Sequence, residues 1–404
     1  MPATLTTVSA ILKEVYEDDI REQLDNGAVA LRRIEKSSEG VESQVGGKYV
    51  TFPIKTRRNQ GIGARNEMEL LPVAGQQGYA AARVGLKYLY GLVRLSGQTI
   101  ELADSNYQAF ASALDAEIDG LKTDLLVDQN RQVYGDGSGA LAVVVSDGVG
   151  SVVVKDSLYL QQDMQIDIVD GTTLATVPTY KGQNRKILAI NTVTNTVTYD
   201  NSAPAGGEIT AAAGDILVRT GSVNREWTGF SKIIAATGVL YNIDPAVEPV
   251  WKSSIDSNAG VNRALSEGLM INMVDSIRAQ GGTVTAIFQN LGVRRAYFNL
   301  LSQQRKFVNT KEFAGGFTGL SFVTDQGEVP AVVDIAAPKN KQFYVNEKEL
   351  TLYREKDWSF MDRDGSKWQR VIGFDAYEAT MYQYSELGCH RRNTHGQIQD
   401  ITEG

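Results

Sequence analysis

The chain has 404 residues, 42% hydrophobic and 22% charged, a length that exceeds one simple core and predicts two or three domains. Its net charge of −8 excludes a general polyanion binder, and its single cysteine, Cys389, excludes an internal disulfide framework. Two histidines, His390 and His395, leave little equipment for catalysis, and no apolar run approaches the roughly 20 residues of a membrane-crossing helix.

The N-terminal stretch MPATLTTVSAILKEVYEDD lacks the basic start and apolar run of a signal peptide, which predicts a protein made and kept in a cytoplasm. Leu5, Val8, Ile11, Leu12, Val15 and Tyr16 recur at helical spacing and predict a helix over residues 5–36, broken at Asp25-Asn26-Gly27 and continued by ALRRIEK. Residues 39–47 read as a loop, and residues 48–54 alternate like a strand. Then comes TFPIKTRRNQGIGARNEMELLPVAG, polar, glycine-containing and carrying Lys55, Arg57, Arg58 and Arg65, before a second strand-like run over Arg83–Leu95. Two arms around such a tip predict an extended hairpin. A lone two-stranded hairpin is marginal in water, so it needs a surface to lie on.

Asp104 or Ser105 can cap the strongest helix, in which Tyr107, Phe110, Leu114, Ile118, Leu121 and Leu125 repeat at helical spacing as far as Tyr134. The result is a rod of about 45 Å. Its apolar stripe reads as core packing, and Asp115, Glu117, Asp119, Asp124 and Asp128 give it acidic faces. From Leu141 to about Gly221, VVVSDGVGSVVV, MQIDIVDG, RKILAINTVTNTVTYD and AAGDILVRTG predict short strands closing an inserted β barrel. From Phe230 the pattern is α/β. It predicts helices over Asn258–Ala279 and 291–304, and strands at 283–289 and within GLSFVTD, AVVDIAA and KQFYVNE. The last part is β-rich, with DRDG (362–365) as a hairpin turn.

Several motifs fail on their surroundings. GDGSG (135–139) follows a helix rather than a strand, so it reads as a helix end and not a phosphate loop. GIGARN opens no apolar helix. DRDG lacks the third acidic position and closing glutamate of a calcium loop. Cys389, His390 and His395 have no zinc spacing, and adjacent residues on a strand point to opposite faces. No cofactor, metal or catalytic residue is predicted.

The order of parts is N-terminal arm, long hairpin, long helix, inserted β module, α/β domain and final β hairpin. Together with AAGDILVRTGSVNREWTGF and WQRVIGFDAYEATMYQYSELGCHRRNTHGQI, this order resembles the major capsid proteins of tailed bacteriophages with the Hong Kong 97 type fold. The resemblance covers nearly the whole chain. It implies an α+β fold divided as an N-terminal arm (1–44), an extended loop (45–95), a peripheral domain with the spine helix (96–140), an inserted β barrel (141–224), an axial α/β domain (225–350), a peripheral β hairpin (351–387) and a C-terminal segment in the axial domain (388–404).

That likeness also implies that the loop lies across a neighbouring subunit's peripheral domain. Lys55, Arg57, Arg58, Arg65, Glu67 and Glu69 would make intersubunit contacts, with Asp115, Asp119, Asp124 and Asp128 of the spine helix as the opposing acidic face. Charge reversal at Arg57 and Arg58 together is then expected to impair assembly and spare folding. The implied partners are further copies in hexamers and pentamers, a separate scaffolding protein, a portal protein, a possible decoration protein, and double-stranded DNA held without specific grip. Some members join a loop lysine to an asparagine covalently. DRDGSK has no asparagine, so no such crosslink is expected. The rival readings are an encapsulin-like compartment shell, a two-domain enzyme using carboxylates such as Asp362 and Asp364, and a carbohydrate-binding role for the β module. That module offers only Tyr159, Tyr180 and Tyr199 for stacking.

Overall fold

The computed structural model describes residues 28–37, 49–98, 107–146, 148–201, 210–303, 310–312, 318–325, 327–362 and 365–404. The helix expected before residue 28 lies outside them. Two compact units emerge, each built from separated stretches of chain. The first contains Lys87–Ser231 and Lys356–Ser385, and the second contains Arg33–Leu86, Lys232–Glu355 and Glu386–Gly404.

In the first unit the long helix spans Tyr107–Tyr134. Ile118 and Leu125 are buried and Leu121 is half-buried, as expected of an inward stripe at helical spacing. This stripe meets the strand Lys87–Ser96, which pairs antiparallel with Ala376–Ser385. The contact depends on a missing side chain. A Cβ on Gly91 would stand 2.9 Å from a methyl of Leu121 and 2.9 Å from one of Leu125. Gly91→Val is therefore expected to cost about 1–3 kcal/mol through overpacking, readable as a lower urea midpoint. At the far end of the helix, Gln129 is hydrogen-bonded to Gln383 and accepts from the Trp358 indole at 3.3 Å.

After GDGSG the chain enters a closed barrel. Its strand order is Thr196–Tyr199, Ser151–Val154, Ala140–Ser146, Ile216–Arg219, Gln165–Val169, Tyr180–Asn191. Alternate residues such as Val152, Val154, Ile166, Ile168, Ile187 and Val197 fill its interior. The DRDG expectation needs correction. Gln369–Arg370 pairs with Tyr377 and Glu378, so the tight turn of that hairpin lies at 371–375, where Gly373 takes a φ of +82°. Of the DRDG stretch, residues 363 and 364 lie outside the described residues.

The second unit is built on a seven-stranded sheet ordered Ser254–Asp256, Gly396–Ile398, Gln342–Val345, Ala286–Gln289, Gly327–Val333, Thr318–Thr324, Thr310–Glu312. The helices Glu267–Ala279 and Leu291–Gln303 bury Met270, Met273, Ile277, Val293 and Tyr297 in its core. The first of these helices starts later than the sequence predicted. Ser266 caps it by accepting from Leu269 N, and Ala259 and Gly260 carry positive φ, which a helix forbids. Val261, which precedes the helix, is accordingly exposed. The ALRRIEK continuation also splits, into a helix at Val29–Arg33 and a strand at Glu35–Ser37 running parallel to Thr351–Tyr353.

Two buried groups organise this unit. Arg392 is fully buried, and its guanidinium donates to five backbone carbonyls: Ile233 at 2.8 Å, Gly238 at 3.1 Å, Lys232 at 3.1 Å, Thr237 at 3.2 Å and Trp251 at 3.4 Å. His395 is also fully buried. It accepts from Asn346 N at 3.2 Å through Nδ1, and its Nε2 has no hydrogen-bond partner among the described residues. Burial, reinforced by Arg391, pushes the His395 pKa down to about 3.

The unfolded chain takes up that proton near pH 6.5. Between the two values the unfolded state binds more protons, so stability falls as pH drops from about 6.5 towards 3. His395→Gln is expected to flatten this acid-side slope. Urea midpoints at pH 7 and pH 5 check it, since the wild-type chain must lose more between them than the variant.

Candidate functional site

The hairpin packs on its own unit at its root, and its tip carries bonds among its own groups. Tyr49–Arg57 and Gly78–Gly85 pair antiparallel, with Val50 opposite Val84, Phe52 opposite Ala82 and Ile54 opposite Ala80. The two-residue period of a strand puts these six on one face. That face packs against Tyr353 and Tyr241, and the Phe52 ring lies 4.5 Å from the His390 ring. Arg83 N donates to Tyr241 O at 3.1 Å, and Arg57 pairs with Glu248 at 3.1 Å. The surface that the hairpin needed is thus supplied, for its root, by its own chain.

The tip, residues 58–77, has no regular structure and is held by its own polar groups. Its two sides pass closely because Gly61 and Gly75 lack side chains. A Cβ on Gly61 would stand 2.7 Å from Gly75 N, and one on Gly75 would stand 2.9 Å from Gly61 N. Asn66 N and Nδ2 donate to the Glu69 carboxylate at 3.0 and 2.9 Å, and these bonds hold its pKa below the ordinary value. Arg65 donates to Leu70 O at 2.8 Å and to Ala64 O at 3.0 Å. Lys55, Arg58 and Glu67 are exposed.

Two of the four cations therefore work inside the chain: Arg57 at the root and Arg65 within the tip. What the tip turns outward is apolar. Ile62, Met68, Leu70, Leu71 and Val73 are each at least 81% exposed. Scattered exposed apolar residues are ordinary, but a run of large ones on a projecting loop marks an interaction site. The basic residues drew attention away from this stripe, although the run Leu70-Leu71-Pro72-Val73 in an otherwise polar loop was the signal that could have found it.

The long helix presents a different chemistry. Glu117, Asp119, Gly120, Thr123 and Asp124 are exposed, with Val127 the exposed large apolar side chain on the same stretch. Asp119 reaches Lys122 at 3.0 Å. The side chains of Phe110, Leu114 and Asp115 lie outside the described residues.

Asp128 is not part of the outer face. It accepts from Arg131 at 3.0 Å, Gln132 at 2.7 Å and Arg219 at 3.4 Å, while Arg131 reaches Glu226 at 2.7 Å. Burial alone would raise the Asp128 pKa, but Arg131 and Arg219 outweigh it and leave the carboxyl below its ordinary value. Burial raises Glu226 despite Arg131. This cluster ties the last turn of the helix to the barrel's closing strand and to the segment leaving the barrel. Gln132 accepts from Trp227 N at 3.2 Å beside it. Among the described residues no group of His, Cys, Asp and Glu could hold a metal ion, and no helix is long and apolar enough to cross a membrane.

Residues 205–402, just under half of the chain, match the family described as SU10 major capsid protein. Among solved structures, the cyanophage A-1(L) capsid asymmetric unit covers 94% of this chain and 93% of its own, at 14% identity and a TM-score of 0.54. The SrpI encapsulin complex of Synechococcus elongatus PCC 7942 covers 92% of this chain and 87% of its own, at 8% identity and a TM-score of 0.44. Mycobacterium phage Bobi covers 99% of both chains, at 8% identity and 0.44. No curated protein sequence matches the chain.

Proposed function

We infer that this chain is a major capsid protein of a tailed bacteriophage, built on the Hong Kong 97 type fold and located in the virion shell. The observation that carries the reading is the agreement of two independent findings. The C-terminal half matches a capsid-protein family, and the whole described architecture follows a phage capsid subunit over 94% of the chain. Copies of the chain assemble with one another to form that shell. The role is structural, and no turnover is expected from carboxylate pairs such as Asp362 and Asp364.

The finer assignments follow from the same reading. Residues 45–95 act as the extended loop, a strap between subunits. Residues 96–140 and 351–387 serve as the peripheral domain, 141–224 as the inserted barrel, and 225–350 with 388–404 as the axial domain around five- and sixfold axes. Residues 1–44 form the arm. The exposed tip supports the strap, because large apolar side chains left in water at the end of a rooted hairpin gain most by burial elsewhere. A separate scaffolding protein, a portal protein and a decoration protein complete the proposed partners. Packaged double-stranded DNA lies inside without specific contact, consistent with the net charge of −8.

Expression with the neighbouring phage genes, followed by electron microscopy, tests the reading. Closed shells, or rings of five and six, are expected. A monodisperse monomer under every condition refutes it. Nuclease-protected DNA inside native particles separates a phage head from an encapsulin-like compartment, which would hold enzyme cargo instead.

A further inference from the structure

We propose that the tyrosine cluster on the sheet formed by Lys87–Ser96 and Ala376–Ser385 is an oxidative modification site, at which Tyr384 couples to Tyr88 as dityrosine and joins the two strands covalently. The co-reactant is hydrogen peroxide acting through a one-electron oxidant of the haem peroxidase class. The proposal stands apart from the strap and from the shell.

The cluster follows from strand register. Tyr88 lies opposite Tyr384, and Tyr90 lies opposite Tyr382. Both pairs share one side of the sheet, while Gly91, on the other side, meets the long helix. Directly opposed residues of an antiparallel pair hold their Cβ atoms about 4.5–5.5 Å apart. The rings here are as close. Tyr88 and Tyr384 meet edge-on with centroids 4.8 Å apart, Tyr382 lies 5.1 Å from Tyr384, and Tyr90 lies 6.3 Å from it. Tyr384 is thus the hub of three neighbouring phenols.

Exposure is graded in the same order. Tyr88 and Tyr90 are each 51% exposed and meet an oxidant arriving from solution, whereas Tyr384 is half-buried between them. Other tyrosines lack one or the other condition. Tyr79 is 66% exposed but meets no ring among the described residues. Tyr134, Tyr199 and Tyr344 are buried. An oxidised ring in the cluster therefore finds its partner already beside it, and coupling needs no diffusive encounter. Exposed side chains reorient within nanoseconds, so the edge-on rings can turn to bring their reacting carbons together.

The chemistry balances without any group from the rest of the chain. Each phenol gives up one electron and its hydroxyl proton and becomes a phenoxyl radical. The two radicals join through the ring carbons beside their oxygens, which forms one carbon–carbon bond. The hydrogens on those two carbons leave as protons, the two oxygens take protons up, and both rings are restored. The pair has then lost two electrons and two protons, and one hydrogen peroxide receives them and becomes two waters. The single cysteine, Cys389, is buried and offers no disulfide. A tyrosine link supplies the cross-strand bond instead, and it closes a long loop, which restricts the unfolded chain.

The test treats the unassembled full chain with a haem peroxidase and hydrogen peroxide, kept dilute to suppress coupling between chains. Dityrosine fluorescence gives the yield, and mass spectrometry of the digest gives the position. An intrachain dityrosine joining Tyr88 to Tyr384 is expected, with a urea midpoint above that of the untreated chain. Tyr384→Phe and Tyr88→Phe, which remove only a hydroxyl each, are expected to lower the yield about tenfold, and Tyr79→Phe is expected to leave it unchanged. No dityrosine, dityrosine that does not join these two strands, or an undiminished yield from Tyr384→Phe overturns the proposal.

Discussion

Replacing Met68, Leu70 and Leu71 together with serine is expected to abolish closed shells and leave a folded, soluble chain. All three side chains are at least 81% exposed in the subunit, so the fold loses almost no burial when they are shortened. Surface changes of this kind stay within about 0.5 kcal/mol. The assembled contact loses far more. Burying one large apolar side chain contributes about 1.5–3 kcal/mol, so three missing anchors remove at least roughly 4 kcal/mol from every contact. That is about a thousandfold in affinity per contact, repeated around the shell.

Charge reversal at Arg57 and Arg58 is the instructive comparison. Arg57 belongs to an in-chain pair with Glu248, and a pair this exposed contributes about 0–1 kcal/mol. Its reversal is expected to weaken assembly less than the serine triple and to do so in a salt-dependent way. Size-exclusion chromatography and particle counts at low and high salt read both variants. Normal shells from the serine triple would show that the tip's apolar side chains do not hold the strap.

Arg392→Met is expected to produce the largest loss of stability of any single change proposed for the second unit, about 3–5 kcal/mol. The reason lies in five carbonyls. Residues 232, 233, 237, 238 and 251 turn their oxygens onto one buried guanidinium; without it Ile233 O keeps the Ser253 hydroxyl at 3.2 Å, exposed Thr237 and Gly238 turn to water, and the carbonyl of buried Trp251 loses this donor. Arg392→Lys is not expected to restore stability, because an ammonium has three donors on a point where the guanidinium spreads five in a plane. Urea unfolding of the unassembled chain measures both. A loss under about 1 kcal/mol for the methionine variant would show that these carbonyls find water or other donors.

Features set by local pattern could be read directly from the sequence. Valine and isoleucine alternation in VVVSDGVGSVVV and RKILAINTVTNTVTYD gave the barrel strands, and the three-to-four spacing of Ile118, Leu121 and Leu125 gave the inward stripe of the long helix. Features set by distant partners could not. Glu35–Ser37 becomes a strand because Thr351–Tyr353 lies beside it, far along the chain. The helix at Glu267 starts late because Ser266 competes for its first amides while Ala259 and Gly260 turn the chain the other way. Charge alone also misled at the loop. Arg65 and Glu69 hold the tip's shape through bonds a few residues long, and nothing in their type separates that task from an outward contact. Asp128 faces the same ambiguity, since Arg219 comes from the barrel's closing strand and the Glu226 that shares Arg131 from the segment after it.

The most direct measurement is a cryo-electron microscopy reconstruction of particles formed by the wild-type chain with its scaffolding partner. A closed shell is expected in which residues 62–73 of every copy lie on a neighbouring copy, with Met68, Leu70 and Leu71 buried. Shells whose tips remain in solvent, or fold back on their own subunit, would contradict it.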